Sequence, residues 1–262
     1  MTIAAMLLLV VIGFLAGGFG ALAGVGGGII VTPLLAIYFG LPMHQAIGVT
    51  LLCVIATSTA TSSQYVERHV TDVRLGMTLE LATTVGALIA ALVAHHVNRR
   101  TLAVLFVGFL LYSAVSMVKK AWNSRYEKTE EAVPDYTPQN YPVGLAASLL
   151  AGGFSGLLGI GGGPIKVPVM LLFMKVPLRV AAATSNFMIG VTAGTSAYIY
   201  WGRGNIRVDI AAPLVAGVFV GSLLGTRISP KVRPVHILML LVTIAGWLAA
   251  QMIYKLLTGG FQ

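Results

Sequence analysis

The sequence predicts an all-α, polytopic membrane protein made of two homologous halves, and three observations carry that expectation. Of the 262 residues, 57% are hydrophobic and 10% are charged, against about 45–50% and about 25% in soluble domains. Apolar segments recur ten times along the chain, most of them close to the roughly 20 residues that cross about 30 Å of hydrocarbon. A stretch of 35 residues in the first half returns without gaps in the second. A mean hydropathy of +0.89 excludes an ordinary water-soluble or disordered chain. Cys53 is the only cysteine, which excludes a disulfide scaffold.

The first segment, 3–24, has no Lys or Arg before it and runs past position 23 without a cleavage site. It therefore reads as a retained membrane helix and not as a cleaved signal. Segment 28–40 is short, and 44–64, 74–96 and 101–118 are each near full length. A polar linker at 119–142 follows, with Lys119, Lys120, Arg125 and Lys128 set against Glu127, Glu130, Glu131 and Asp135, and with Pro134, Pro138 and Pro142. The pattern then restarts: 143–159, a short 164–175, and longer segments at 180–201, 209–228 and 235–256. The organisation is one membrane domain over 1–262, with a first repeat at 1–118, the linker, and a second repeat at 143–262.

Residues 16–50 align with 151–185, and 13 of the 35 pairs are identical. The matches include the triple glycines at 26–28 and 161–163, Pro33 with Pro168, and Pro42 with Pro177. Glycines and prolines in register point to duplication, a common transporter architecture.

The net charge of +9 comes from 17 Lys+Arg against 8 Asp+Glu. The cations sit in short clusters between apolar segments, the pattern of membrane loops held on the cytoplasmic side, and nothing suggests a nucleic-acid partner. If each half crosses an odd number of times, the loops near 65–74, 119–142, 175–179 and 227–233 share one side with 11 Lys+Arg. The other side receives 5, and Lys166 is left inside the membrane. Four crossings per half give 9 against 7. The larger bias predicts inverted repeats with both termini on the non-cytoplasmic side. The parity is the same if segments 1–2 and 6–7 are re-entrant hairpins, so spanning and re-entrant short segments stay open alternatives.

Gly26, Gly27 and Gly28, like Gly161, Gly162 and Gly163, are poor helix formers placed between two apolar helices. Irregular backbone at membrane depth survives only inside protein or beside a water-filled cavity. A short helix starting after each triplet presents free N–H groups and a positive dipole end, which suits an anion. The competing reading is that glycine only permits close helix packing.

The paired motifs AGVGGGIIVTP and LGIGGGPIKVP, followed by AIGVT and AAATSNF, resemble the sulfite exporter TauE/SafE family. The resemblance spans both halves, and it implies a bacterial-type plasma-membrane transporter of small sulfur-containing or organic anions such as sulfite, thiosulfate or sulfonates. In the first half the family commonly has a threonine where this chain has Val49, which leaves Thr50 as the hydroxyl there. The second half keeps Thr184, Ser185 and Asn186.

The expected substrate site is therefore the two glycine triplets with Thr50, Thr184, Ser185, Asn186 and Lys166. Lys166 either meets the anion or snorkels to an interface. Glu80 is the only carboxylate well inside an apolar segment, so it either couples H+ (or Na+) or reaches the headgroups from its place six residues after Arg74. Tyr198, Tyr200 and Trp201 suit an interfacial aromatic belt. GVGGG and GIGGG lack the Lys-Ser/Thr of a phosphate loop, and no HExxH or cysteine pair is present. The expectation is a single membrane transport domain with a small anionic substrate, no metal, no cofactor and no enzymatic activity. Three alternatives remain: an intramembrane enzyme using Glu80 with a histidine, an anion channel, and an accessory membrane scaffold.

Overall fold

A computed structural model describes residues 3–23, 26–124, 136–228 and 234–258. These form ten α-helices: α1 (Ile3–Ala23), α2 (Gly28–Tyr38), α3 (Met43–Glu67), α4 (Val73–Ala94), α5 (Arg99–Ser124), α6 (Tyr141–Leu158), α7 (Gly163–Leu172), α8 (Leu178–Gly202), α9 (Val208–Ile228) and α10 (Pro234–Leu257). No strand occurs among the described residues. The all-α polytopic architecture is thus as expected, and each helix starts within two residues of its predicted segment. The linker begins later than predicted, because α5 continues to Ser124. Most of it, 125–135, lies outside the described residues. Its last residues lead into α6, which carries proline in its first turn, where a missing N–H costs nothing.

Seven helices are long and apolar enough to cross a membrane, while α2 and α7 are too short. The 25-residue α8 is long enough, but Thr184, Ser185, Asn186, Thr192 and Ser196 make it too polar. Those five side chains are buried in protein and not presented to lipid.

The starts of α2 to α5 (Gly28, Met43, Val73, Arg99) and of α7 to α10 (Gly163, Leu178, Val208, Pro234) are separated by the same 135 residues in each pair. The packing follows that register with the halves exchanged. In one pair α1 runs parallel to α9, with Gly13 and Gly17 against the backbone at Leu214 and Val218. In the other α6 runs parallel to α4, with Gly152 and Gly156 against Thr83 and Ala87. A Cβ at any of these glycines would overlap the facing carbonyl, so the backbones approach only because the residues are small.

The central pair, α3 and α8, runs antiparallel. Gly48 near the start of α3 abuts Asn205 just beyond the end of α8. Farther along α3, Ser58 donates to the Asn186 carbonyl at 2.5 Å.

The two short helices turn back. Asn140 Nδ2 donates to the Phe173 carbonyl at 2.9 Å and the Gln139 N–H to the Met174 carbonyl at 3.1 Å. The start of α6 and the end of α7 therefore share one face, which also holds the start of α8; we call it the linker face. On the opposite, terminal face, Lys255 at the end of α10 donates to the Ala36 carbonyl near the end of α2 at 2.7 Å. There too His44 at the start of α3 lies 3.1 Å from the Ala94 carbonyl at the end of α4. Since α1 runs parallel to α9, it starts on this face and α2 returns to it. The short segments are re-entrant, which resolves the alternative that hydropathy left open.

Candidate functional site

Each re-entrant turn is built from glycines in a conformation that other residues rarely adopt. Gly26 and Gly27 have φ of 77° and 71°, and Gly161 and Gly162 have 81° and 74°. Gly27 and Gly162 are the N-terminal caps of α2 and α7. The Gly27 carbonyl accepts from Ile30 and Val31, and the Gly162 carbonyl accepts from Ile165 and Lys166. The amides ahead of those residues have no helical acceptor, as at any helix start. In α7 Pro164 has no N–H, which leaves the first-turn donation to glycine.

The two turns meet. A Cβ on Gly28 would stand 2.8 Å from the Gly159 carbonyl oxygen and 3.2 Å from Thr50 Cγ2. Cβ atoms on Gly26 and Gly161 would both press on Val54 and Ile189, which are themselves 135 residues apart. Two positive helix ends, one from each half, thus converge where α3 crosses α8. Glycine is required here to bring backbone against backbone as well as to supply the turn.

Around this meeting point the predicted residues separate into three groups. Thr50 is buried but engaged: it donates to the Ala46 carbonyl at 2.8 Å and accepts from Thr32 at 2.9 Å. Its counterpart Ser185 is fully buried, and its hydroxyl has no hydrogen-bond partner. Asn186 is 1% exposed, and neither its amide nitrogen nor its side-chain oxygen is paired. At about 100° per residue, Asn186 lies between Ile189, which meets the glycine turns, and Gly190, which faces Ser58. Buried amides without partners are rare and costly. Here they are aimed at the interior beside two free helix ends.

Thr184 belongs elsewhere. Its hydroxyl accepts the Asp72 N–H at 3.0 Å at the start of α4, on the linker face. The Asp72 carboxylate caps Leu75 N–H at 2.9 Å and accepts from the Tyr136 hydroxyl at 2.7 Å. Burial pushes the Tyr136 hydroxyl above its ordinary pKa, and the neighbouring carboxylate adds to the rise. The Thr184 oxygen is thus occupied in a structural corner.

Lys166 and Glu80 find each other. Lys166 Nζ donates to Glu80 Oε2 at 3.3 Å and to Thr192 Oγ1 at 3.4 Å. Thr192 donates to Glu80 Oε1 at 2.5 Å, and Thr84 donates to the same oxygen at 3.3 Å. Exposures of 2% for Lys166 and 5% for Glu80 rule out both expected escapes, snorkelling and contact with headgroups. A helix tilts its side chains toward its N-terminus, so the Lys166 ammonium points back toward the glycine turn. Leu75, Leu79, Val167, Met170, Met174 and Met188 form an apolar cluster that closes this site toward the linker face.

Sequence reasoning missed Thr192, which joins the two charges. One signal was available: Thr192 is the 135-residue counterpart of Thr57 and falls two turns after Ser185 on the same face of α8. Tyr200 also departs from the aromatic belt expected of it, being 2% exposed with its hydroxyl donating to the Gly156 carbonyl. Tyr198 and Trp201 do face outward.

The sequence pattern of the sulfite exporter TauE/SafE family matches residues 9–252, and the chain belongs to that family. A probable membrane transporter protein, YunE of Bacillus subtilis, is 29% identical over 265 residues, covering 95% of this chain and 97% of its own length. A probable membrane transporter of Methanocaldococcus jannaschii is 28% identical, with 91% and 92% covered. A sulfite exporter TauE/SafE family protein of Arabidopsis thaliana is 32% identical over 130 residues, which is 50% of this chain and 28% of that protein. No solved structure matches.

Proposed function

We propose that this membrane transporter carries a small anion of the sulfite, thiosulfate or sulfonate type, by alternating access between its two halves. The observation that carries the reading is the unpaired, fully buried Ser185–Asn186 pair beside two converging helix N-termini. Free N–H groups, a hydroxyl and an amide are the donors a small oxyanion needs. Lys166 supplies the one buried positive charge among the described side chains in the membrane interior. The site is closed in this structure, as an occluded state requires. The antiparallel crossing of α3 and α8 lets one half rock against the other about the glycine turns.

On this reading the linker face is cytoplasmic, because its loops hold 11 Lys+Arg against 5 on the terminal face, and both termini lie outside. The intramembrane-enzyme alternative gains no support, since the polar contacts of Glu80 are to Lys166, Thr192 and Thr84 and not to a histidine.

Flux of labelled sulfite, thiosulfate and a simple sulfonate into proteoliposomes tests the proposal. The native chain is expected to move at least one of them. Gly162→Val, whose Cβ would lie 2.8 Å from the Ala151 carbonyl at a φ of 74°, is expected to abolish that flux. No flux of any of the three, or equal flux in the variant, overturns the reading.

A further inference from the structure

The Glu80–Lys166 pair has no equivalent in the other half: the positions 135 residues away are Val215 and Val31. It is not inherited repeat scaffolding. It also joins the halves, since Glu80 lies on α4 of the first and Lys166 on α7 of the second. With Thr192 on α8 it ties the helices that border the glycine turns.

Charge balance then constrains what an arriving anion can do. The empty site holds one ammonium and one carboxylate, a net charge of zero in a region shut off from water. Adding a monoanion alone leaves a net negative charge at membrane depth, which is strongly disfavoured. Adding a monoanion together with a proton keeps the sum at zero. The proton acceptor within reach is Glu80. Lys166 is the charged group facing it among the described residues. On the elements packed against α4, the titratable groups are Tyr141 on α6, and Arg179, Tyr198 and Tyr200 on α8. Tyr141 and Tyr198 face outward, Tyr200 is bound to Gly156, and Arg179 lies in the first turn of α8, more than three turns from Thr192.

We propose that the anion and Glu80 are alternative partners of Lys166, so that each anion entering the site brings one proton onto Glu80. This rests on the anion-carrier reading above. In the exchange the Lys166 N–H bond to Glu80 Oε2 is replaced by one to an anion oxygen. An O–H bond forms on Oε2 with a proton from bulk water, and Thr192 keeps hold of Oε1 throughout. On release the proton leaves and the ion pair re-forms. Protein, anion and proton thus move as a neutral unit.

The test is flux of a labelled simple sulfonate, fully ionised near neutral pH, into proteoliposomes containing a pH dye, under an inward proton gradient. The native chain is expected to acidify the lumen by one proton per sulfonate. Glu80→Gln is expected to carry sulfonate without acidification and without response to the gradient. The double variant Glu80→Gln/Lys166→Met leaves no unpaired buried charge, so it keeps the fold, checked by monodisperse elution. It is expected to lose sulfonate flux at least 10-fold and to move no protons. Sulfonate entry through the native chain without acidification overturns the coupling and leaves the anion reading standing. An unchanged proton-to-sulfonate ratio in either variant also overturns it. Absence of sulfite, thiosulfate and sulfonate flux alike in the native chain overturns the anion reading itself, and the coupling with it.

Discussion

The two glycine turns share a backbone and differ in what surrounds them. Both are capped by glycine at positive φ, open a helix of ten or eleven residues, and press on the Val54–Ile189 crossing. Around the first turn, Val31 and Leu51 are apolar and Thr50 spends its hydroxyl on its own helix and on Thr32. Around the second, the same places hold Lys166, Asn186 and Ser185, of which the last two have buried, unpaired side chains. Duplication supplied two equivalent helix ends, and only one was furnished with charge and free donors. A symmetric scaffold therefore carries an asymmetric site. The difference teaches that the backbone pays for geometry twice and for chemistry once.

The largest expected break in this comparison is at the charged position. Lys166→Met leaves Glu80 buried without its partner, and loss of one member of a buried pair costs about 3–5 kcal/mol. The matched Val31→Met only adds volume and costs about 1–3 kcal/mol. Denaturation midpoints in detergent check both, and adding Glu80→Gln to Lys166→Met is expected to return most of the loss.

Asn186 and Leu51 sharpen it next. Asn186→Leu removes two unsatisfied polar atoms and is expected to stabilise the protein by about 1–3 kcal/mol, while anion flux falls at least 10-fold. Leu51→Asn is expected to destabilise by a similar amount with flux far less affected. A flux loss confined to Leu51→Asn would reverse the assignment of the two halves.

The smallest contrast is between the hydroxyls. Thr50→Val removes two hydrogen bonds, leaves Thr32 unpaired, and is expected to cost about 1 kcal/mol. Ser185→Ala breaks no bond, so its stability is expected to hold while anion affinity falls a few-fold, read by flux against concentration.

Much of this was legible along the chain. Segment lengths placed ten helices because hydrocarbon dictates the length of an apolar run, and the matched triplets marked the turns because few residues replace glycine at positive φ. The site was legible in part. Lys166, Ser185 and Asn186 were singled out by being polar at membrane depth, and all three are buried near the turns. Thr184, two residues before Asn186, looked equivalent to them but faces α4 and caps its start. One step along a helix turns a side chain by about 100°, and nothing local says which neighbour stands on each side. Glu80 and Lys166 were each noticed alone, 86 residues apart, and their meeting was not visible.

By itself, then, the sequence determined the solvent, the number of helices, the duplication and the places where helices must break, since each follows from hydropathy and backbone sterics within a few residues. The tertiary structure alone decided that the short helices return to the face they came from, and that the two turns touch. It alone paired Glu80 with Lys166 through Thr192 and left Ser185 and Asn186 unpaired. Those outcomes depend on which distant surfaces meet at the crossing of α3 and α8, and pairing across such a distance is set by packing, not by the order of residues along the chain.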